Sequence, residues 1–278
     1  MSNVDLHLHL LPGVDDGPAD EAASLEHAAK MVAEGVHEAT VTPHVAHPWF
    51  ADVDPATIAE RTRLLQAALD RERLALKLHT GAELHPGAAG DLDPGTLELV
   101  AQGPPGARWV LLEVPFAGVD PAFAETAARI RAKGFGVVIA HPERAAGLLS
   151  GAGIGILRRE LEYGSVLQVN VCSLLGMHGD EARHAAQRLV RSGLAYLLAS
   201  DGHGGERGHT LGAGAAAARA VGASELQSWQ LTQANPRFLL RHGLPAAAAP
   251  GSRDDSWRPS QRRRVASTMA AARGRTRR

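Results

Sequence analysis

Short apolar runs recur along the chain at about residues 4–9, 38–42, 74–82, 108–114, 136–140, 165–170 and 194–200, each rich in Val, Ile and Leu. Runs this short, bounded by Gly, Pro, Asp and His, read as buried strands. Most of the intervals between them have helical period. Within 20–34, Ala22, Leu25, Ala29 and Val32 fall on one face, and Gly35 offers a C-terminal stop. Asp54-Pro55 and Asp120-Pro121 each pair an N-cap with a proline at the first helical position, and the second of these helices should end near Gly134. Segments 179–192 and 209–240 also read as helical. Strand and helix alternating this regularly predict an α/β fold with a parallel sheet, and seven repeats of the unit predict a closed or nearly closed barrel. From Ala246 onward the chain turns to Ala, Pro, Gly, Ser and Arg. The expected organisation is therefore one domain over 1–245 and an Arg-rich, disordered tail over 246–278.

Polar residues break the pattern at the strand ends. His7 and His9 sit in Asp-Leu-His-Leu-His, Asp16 in Asp-Asp-Gly, His44 after Thr-Pro and Glu83 after Gly-Ala. Glu113 closes Val-Leu-Leu-Glu, His141 opens His-Pro-Glu-Arg, and Asp201 and His203 flank a glycine. Imidazole and carboxylate hold hard and borderline divalent metals, and a barrel gathers such ligands at the C-terminal ends of its strands. His7 and His9, two apart on a strand, point to the same side, and Asp201 and His203 repeat that spacing. By itself the His7/His9 pair is better explained as polar strand residues facing solvent or bonded to backbone, and Glu83 and Glu113 equally well as exposed strand ends; the recurrence favours ligands. The pattern predicts a multi-metal hydrolase in which crowded dications acidify a bridging water to hydroxide and neutralise phosphoryl charge. Arg144 is placed to grip a phosphate oxygen bidentately, and Arg207, on a Gly-rich loop, is a second candidate.

Composition narrows the setting. The 278 residues carry a net charge of −1, but residues 251–278 contain nine Arg against two Asp, which leaves the body near −8. So acidic a body is no nucleic-acid platform. Cys172 is the only cysteine, which excludes an internal disulfide and fits a reducing compartment. The N-terminus lacks a basic and then apolar leader, and no apolar run approaches the roughly 20 residues of a membrane helix. A cytoplasmic protein without membrane insertion is expected; oligomeric state is left open. His178 stands six residues after Cys172, where a cysteine phosphatase would need Arg, so Cys172 reads as a packing residue. Gly212-Ala213-Gly214 lacks the preceding strand and the later acid of a dinucleotide site and reads as helix. His47 and His85, near expected ligands, are further residues of interest.

The segments Asp5-Leu-His-Leu-His-Leu-Leu-Pro-Gly-Val-Asp-Asp-Gly-Pro18, Thr42-Pro-His44, Gly81-Ala-Glu83, Ala140-His-Pro-Glu-Arg144, Gln168-Val-Asn170, Ala199-Ser-Asp-Gly-His203 and Asn235-Pro-Arg237 occur in this order. Over about 4–242 the chain resembles bacterial protein-tyrosine phosphatases of the polymerase and histidinol phosphatase (PHP) superfamily, of the capsule and exopolysaccharide (CpsB/CapC-like) class. The resemblance implies a distorted (β/α)7 barrel of the PHP type with three divalent metals, often Mn2+, with Fe or Zn as alternatives. It implies a first metal on His7, His9, Glu83 and Asp201, a second on Glu83, Glu113 and His141, and a third on Asp16, His44 and His203. Arg144 matches the phosphate-binding Arg, and Arg207 matches a second one with a one-residue loop shift. The implied substrate is a tyrosine-phosphorylated protein, namely a bacterial tyrosine kinase of exopolysaccharide synthesis. The alternatives are a small-molecule phosphatase such as one for histidinol phosphate, or a non-catalytic metal-binding regulator. Leu8 stands where the class usually has Ser, and the tail lies outside the resemblance.

Overall fold

Each expected run forms a strand, and two of them are followed by a second, short strand. The computed structural model describes residues 2–149 and 151–246, so the expected tail lies outside the described residues apart from Ala246. The strands are β1 (Asn3–Leu8), β2 (Val36–Val41), β3 (His44–Val45), β4 (Lys77–Thr80), β5 (Glu83–Leu84), β6 (Trp109–Glu113), β7 (Gly136–Ala140), β8 (Val166–Asn170) and β9 (Ala195–Ala199). The second run forms β2, and Pro43, which lacks the N–H a ladder needs, separates it from β3. The third run forms only β4, which starts later than expected, at Lys77, and Gly81-Ala82 separates it from β5.

The architecture is mixed α/β with all ladders parallel. One sheet has the order β1-β2-β4 and the other β3-β5-β6-β7-β8-β9. Registers such as His44 opposite Glu83 and Glu113 opposite Ala140 carry the strand ends to one level. The end of β9 meets the end of β1 through backbone bonds from Asp201 N to His7 O and from His9 N to Gly202 O, each 2.9 Å. Thr42 N in turn donates to Leu8 O at 2.8 Å. His7, His9, Asp201 and the approach to His44 therefore share one patch of backbone.

Helices cover the connections. Asp20, Asp54, Asp93 and Asp120 cap the helices Glu21–Ala33, Pro55–Arg71, Pro94–Val100 and Pro121–Ala132, each carboxylate accepting a first-turn N–H. The Asp93-Pro94 helix carries the same start signal as the two expected ones. Two expectations need correction. In Glu21–Ala33 the inward residues are Ser24, His27, Ala28 and Met31, not Ala22 and Ala29, which are exposed. The expected helix 209–240 is instead Gly214–Ala220, Glu225–Trp229, a π turn over Gln230–Ala234 and Asn235–His242. Gly222, at φ +97°, turns the chain out of helix, and Ser224 caps the restart by accepting Gln227 N–H. The last helix locks back onto the sheet where the Trp109 indole N–H donates to Leu239 O at 3.2 Å.

Candidate metal centre

The first strand brings His7 and His9 to the same side, Nε2 to Nε2 at 3.4 Å. Glu83, from the start of β5, lies among the imidazoles. Its Oε2 is 3.3 Å from His7 Nε2, 3.4 Å from His9 Nε2 and 3.2 Å from His44 Nδ1, and its Oε1 is 2.8 Å from His141 Nε2. Asp201 Oδ1 stands 3.3 Å from His7 Nε2 and 3.4 Å from His9 Nε2. Asp16 Oδ1 lies 3.5 Å from His44 Nε2 and 3.4 Å from His203 Nε2. Donor atoms of His7, His9, Glu83 and Asp201 fall within 4.8 Å of one another, and so do those of Glu83, Glu113 and His141, and those of His9, Asp16, His44 and His203. Every residue expected as a ligand lies in one of these groups. All are buried except Asp16, which lies at the rim.

Two of these residues sit on unusual backbone. His141 has φ +30° and Asp201 φ +53°. A non-glycine residue tolerates that left-handed region only where its surroundings hold it. At His141 the turn into the 3-10 segment Pro142–Arg144 swings the imidazole toward Glu83. Gly202 has to be glycine, because a Cβ there would meet His209 O at 2.4 Å and His27 Nε2 at 2.8 Å.

Hydrogen bonds decide which nitrogen each imidazole presents. His7 Nδ1 meets Gln168 Oε1 at 3.0 Å, His9 Nδ1 meets Asp15 Oδ2 at 2.7 Å, and His203 Nδ1 meets Asp201 O at 2.8 Å. These oxygens only accept, so Nδ1 carries a proton in all three, and a ring neutral in this tautomer turns an Nε2 lone pair inward. Metal-binding histidines are held in the same way. His47 and His85 show the opposite pattern. Their Nδ1 atoms accept backbone N–H groups from Trp49 at 3.1 Å and Gly87 at 3.2 Å. Their neutral rings therefore keep the proton on Nε2 and act as donors, although His47 also lies near His44 and Glu113.

The supporting residues form a chain that spacing alone had not singled out. Gln168 Oε1 also accepts His141 N–H at 3.2 Å, Gln168 Nε2 donates to Asn170 Oδ1 at 2.7 Å, and Asn170 Nδ2 donates to Asp201 Oδ2 at 2.8 Å. Asp15 accepts from His9, from His44 N–H at 3.0 Å and from Gly17 N–H at 3.0 Å. Glu143 accepts Asn170 N–H at 2.8 Å, and Asp5 accepts Ser200 N–H at 3.1 Å. Gln168 and Asn170 lie in a quoted motif, and Asp15 adjoins Asp16, so their presence was visible while their roles were not.

Electrostatics show what the donor set lacks. Burial opposes charge on His7, yet Glu83 and Asp201 outweigh it and raise its pKa to about 9. His9 is likewise raised against burial by Asp15. Burial and the nearby charge of Glu83 push Glu113 up to about 9. Glu83 and Asp201 stay ionised despite burial because the imidazoles, His7 first, hold them well below the carboxylate range. Burial lowers His44 to about 4. The cluster thus offsets its carboxylates with protons on His7, His9 and Glu113, a task that divalent cations perform in sites of this composition. Asp16 Oδ1, His44 Nδ1 and His141 Nδ1 are buried without a hydrogen-bond partner. Residues and metal fit.

At the rim, Arg144 Nη1 is 3.4 Å from Asp201 Oδ2, and its guanidinium lies 4.4 Å from the centre of the Phe116 ring. Arg207 Nη2 donates to Asp16 O at 2.7 Å and to Asp16 Oδ2 at 2.9 Å, and the side chain is half exposed. Cys172 is buried with its Sγ 3.9 Å from Ser200 O, and burial pushes its thiol up to about 12.

A family model described as "Capsular polysaccharide synthesis, CpsB/CapC" matches residues 3–241. The chain belongs to this family. It is 31% identical over 201 residues to the tyrosine-protein phosphatase YwqE of Bacillus subtilis, which covers 72% of this chain and 77% of the relative. A solved structure from work on YwqE of Bacillus subtilis and CpsB of Streptococcus pneumoniae, described as metal-dependent tyrosine phosphatases, matches with a TM-score of 0.73 and 26% identity. That match covers 90% of this chain and 100% of the other. A phosphotriesterase homology protein of Escherichia coli matches with a TM-score of 0.55 at 13% identity, over 84% of this chain and 97% of that one. The second likeness concerns fold alone. Among the described residues no helix is long and apolar enough to cross a membrane.

Proposed function

We propose that this member of the CpsB/CapC family is a metal-dependent phosphatase that hydrolyses phosphotyrosine in proteins. The observation that carries the reading is the set of inward Nε2 atoms on His7, His9 and His203, each fixed by an oxygen acceptor on Nδ1 beside Glu83, Asp16 and Asp201. The names of YwqE and of its solved relative support the choice of phosphotyrosine. We assign the first metal to His7, His9, Glu83 and Asp201, the second to Glu83, Glu113 and His141, and the third to Asp16, His44 and His203, with Mn2+ the expected ion. Bound there, divalent metals supply Lewis acidity, which acidifies water and neutralises charge on phosphoryl oxygens.

The chain's own residues do the rest. Arg144 binds a phosphoryl oxygen through its guanidinium, oriented by Asp201. Arg207 holds Asp16 in place and adds positive charge at the mouth. Gln168 and Asn170 keep His7 and Asp201 in register. The buried Cys172 stays a thiol and offers no thiolate nucleophile, in keeping with direct attack by water. In architecture, the two parallel sheets joined at β1 and β9 are read as a distorted (β/α)7 barrel over 1–245, with 246–278 appended. A cytoplasmic setting and a tyrosine kinase of exopolysaccharide synthesis as substrate complete the proposal.

The test is turnover of a phosphotyrosine peptide by chelator-stripped protein with Mn2+ restored, beside a phosphoserine peptide and histidinol phosphate. Metal-dependent preference for phosphotyrosine is expected. Preference for histidinol phosphate would overturn the substrate assignment, and no turnover of any ester would point to a regulator.

A further inference from the structure

The metal centre and Arg144 recognise a phosphoryl group but not what it is attached to. Phe116 lies three residues beyond Glu113, past Pro115, with 47% of its surface exposed. A single exposed aromatic needs no explanation. This one, however, touches two groups of the site: Arg144 lies over its ring at 4.4 Å, and its centroid is 5.9 Å from that of His141. Its backbone is also fixed. Gly118 N donates to Pro115 O at 3.0 Å, closing the turn, and Ala146 N donates to Phe116 O at 2.9 Å, tying this loop to the one that carries Arg144.

Resting on the phosphatase reading, we propose that Phe116 is the specificity-determining platform against which the tyrosyl ring of the substrate lies. An ester whose phosphoryl group is held by Arg144 has its organic group one bridging oxygen away, at the level of the neighbouring Phe116 side chain. For tyrosine that group is a flat ring, which pairs with a fixed aromatic in an offset or edge-on arrangement. For serine it is a single methylene, after which the polar peptide backbone follows at once. Arg144 occupies part of the ring, and the exposed part is free for substrate. The phosphoryl contacts thus supply affinity common to all phosphomonoesters, and Phe116 supplies the difference between aryl and alkyl esters.

The experiment compares the metal-loaded wild type with Phe116→Leu and Phe116→Tyr on phosphotyrosine and phosphoserine peptides of one sequence. It also measures inhibition by inorganic phosphate and the Kd of a peptide carrying non-hydrolysable phosphonomethyl-phenylalanine. For Phe116→Leu, kcat/KM on phosphotyrosine should fall by roughly tenfold, the order expected for an aromatic pair, and the mimic should bind correspondingly weaker. Activity on phosphoserine and inhibition by phosphate should change less than about twofold, and Phe116→Tyr should keep the selectivity. Equal losses on both peptides with weaker phosphate inhibition would overturn the proposal, since Phe116 would then serve only to hold Arg144. Unchanged selectivity in Phe116→Leu would overturn it too. Should the wild type hydrolyse neither peptide, the phosphatase reading fails, while the Kd of the mimic still decides whether the ring is bound.

Discussion

Asp15 is the sharpest place to test how the metal centre is held, because it is not itself among the assigned ligands. Its Oδ2 accepts His9 Nδ1–H at 2.7 Å and His44 N–H at 3.0 Å, and its Oδ1 accepts Gly17 N–H at 3.0 Å. Asp15→Asn keeps the shape but has one accepting oxygen where the carboxylate has two. If that oxygen faces His9 and His44, the new NH2 group confronts Gly17 N–H; if it is flipped, the NH2 group confronts two donors. Either way at least one bond is replaced by a donor–donor contact, and the imidazole loses a charged partner. A hydrogen bond to a charged group contributes about 1.5–3 kcal/mol, which corresponds to roughly 10- to 150-fold in a binding constant. Loss of such a supporting contact typically costs about 10–100-fold in metal affinity, in the same range. The assay is titration of Mn2+ into chelator-stripped protein by calorimetry, together with the metal dependence of phosphotyrosine turnover. Asp15→Asn should need about 10–100 times more metal and recover most of its kcat when saturated. An unchanged metal affinity in a folded variant would refute the orienting role and, with it, the argument from imidazole tautomers.

Further outcomes follow from the same geometry. Cys172→Ala should keep its activity, as assayed by steady-state kinetics, because a buried thiol raised to about 12 is not a nucleophile; loss of turnover in a folded variant would contradict direct attack by water. Arg144→Lys should lower kcat/KM by roughly 10- to 100-fold through loss of the two-pronged contact, whereas Arg207→Ala, half exposed and already engaged with Asp16, should cost less than about tenfold. Metal binding should release protons. His7 and Glu113, both raised to about 9, are protonated at pH 7 and must lose those protons to serve as ligands, so affinity rises with pH from 7 to 9 and falls below it. Calorimetry in buffers of differing ionisation enthalpy should show release of about two protons or more, and a null result would contradict the assigned ligand set. Glu160→Gln should destabilise the fold by about 1–3 kcal/mol in chemical denaturation while sparing metal binding, since it takes the charged partner from the largely covered Arg131, which keeps Ser165 and the Tyr163 ring.

The strands were legible because burial on both faces of a parallel sheet writes itself as uninterrupted Val, Ile and Leu. The helix faces were harder to read. In Glu21–Ala33 alanines lie all round and give little contrast, and the inward side carries Ser24 and His27, polar residues that an apolar stripe would exclude. His27 faces inward because it packs beneath Gly202, a contact 175 residues away in sequence. The break at Gly222 was visible as a glycine, but an Ala-rich stretch on one side and Leu226, Trp229 and Leu231 on the other disguised two helices as one. Local pattern fails in both cases where the partner is remote.

The same limit separates ligand from bystander at the metal centre. Spacing brings His7 and His9 together, but it treats His44 and His47, three apart, no differently from a ligand pair, and it places His85 as close to Glu83 as any real partner could be. What distinguishes them is which nitrogen holds the proton, and that is set by a second residue: Gln168 for His7, Asp15 for His9, the Asp201 carbonyl for His203, and backbone N–H groups for His47 and His85. Gln168 is 161 positions from His7, so no reading of local motifs could assign its role. The backbone N–H contacts of His47 and His85 are local, two residues ahead in each case, and signal a turn in which the imidazole imitates an Asx side chain. A histidine that closes its own turn through Nδ1 is thereby made a donor at Nε2. That is why His47 and His85, each two residues before a turn N–H, belong to the rim of this site while His7, His9 and His203 belong to the centre.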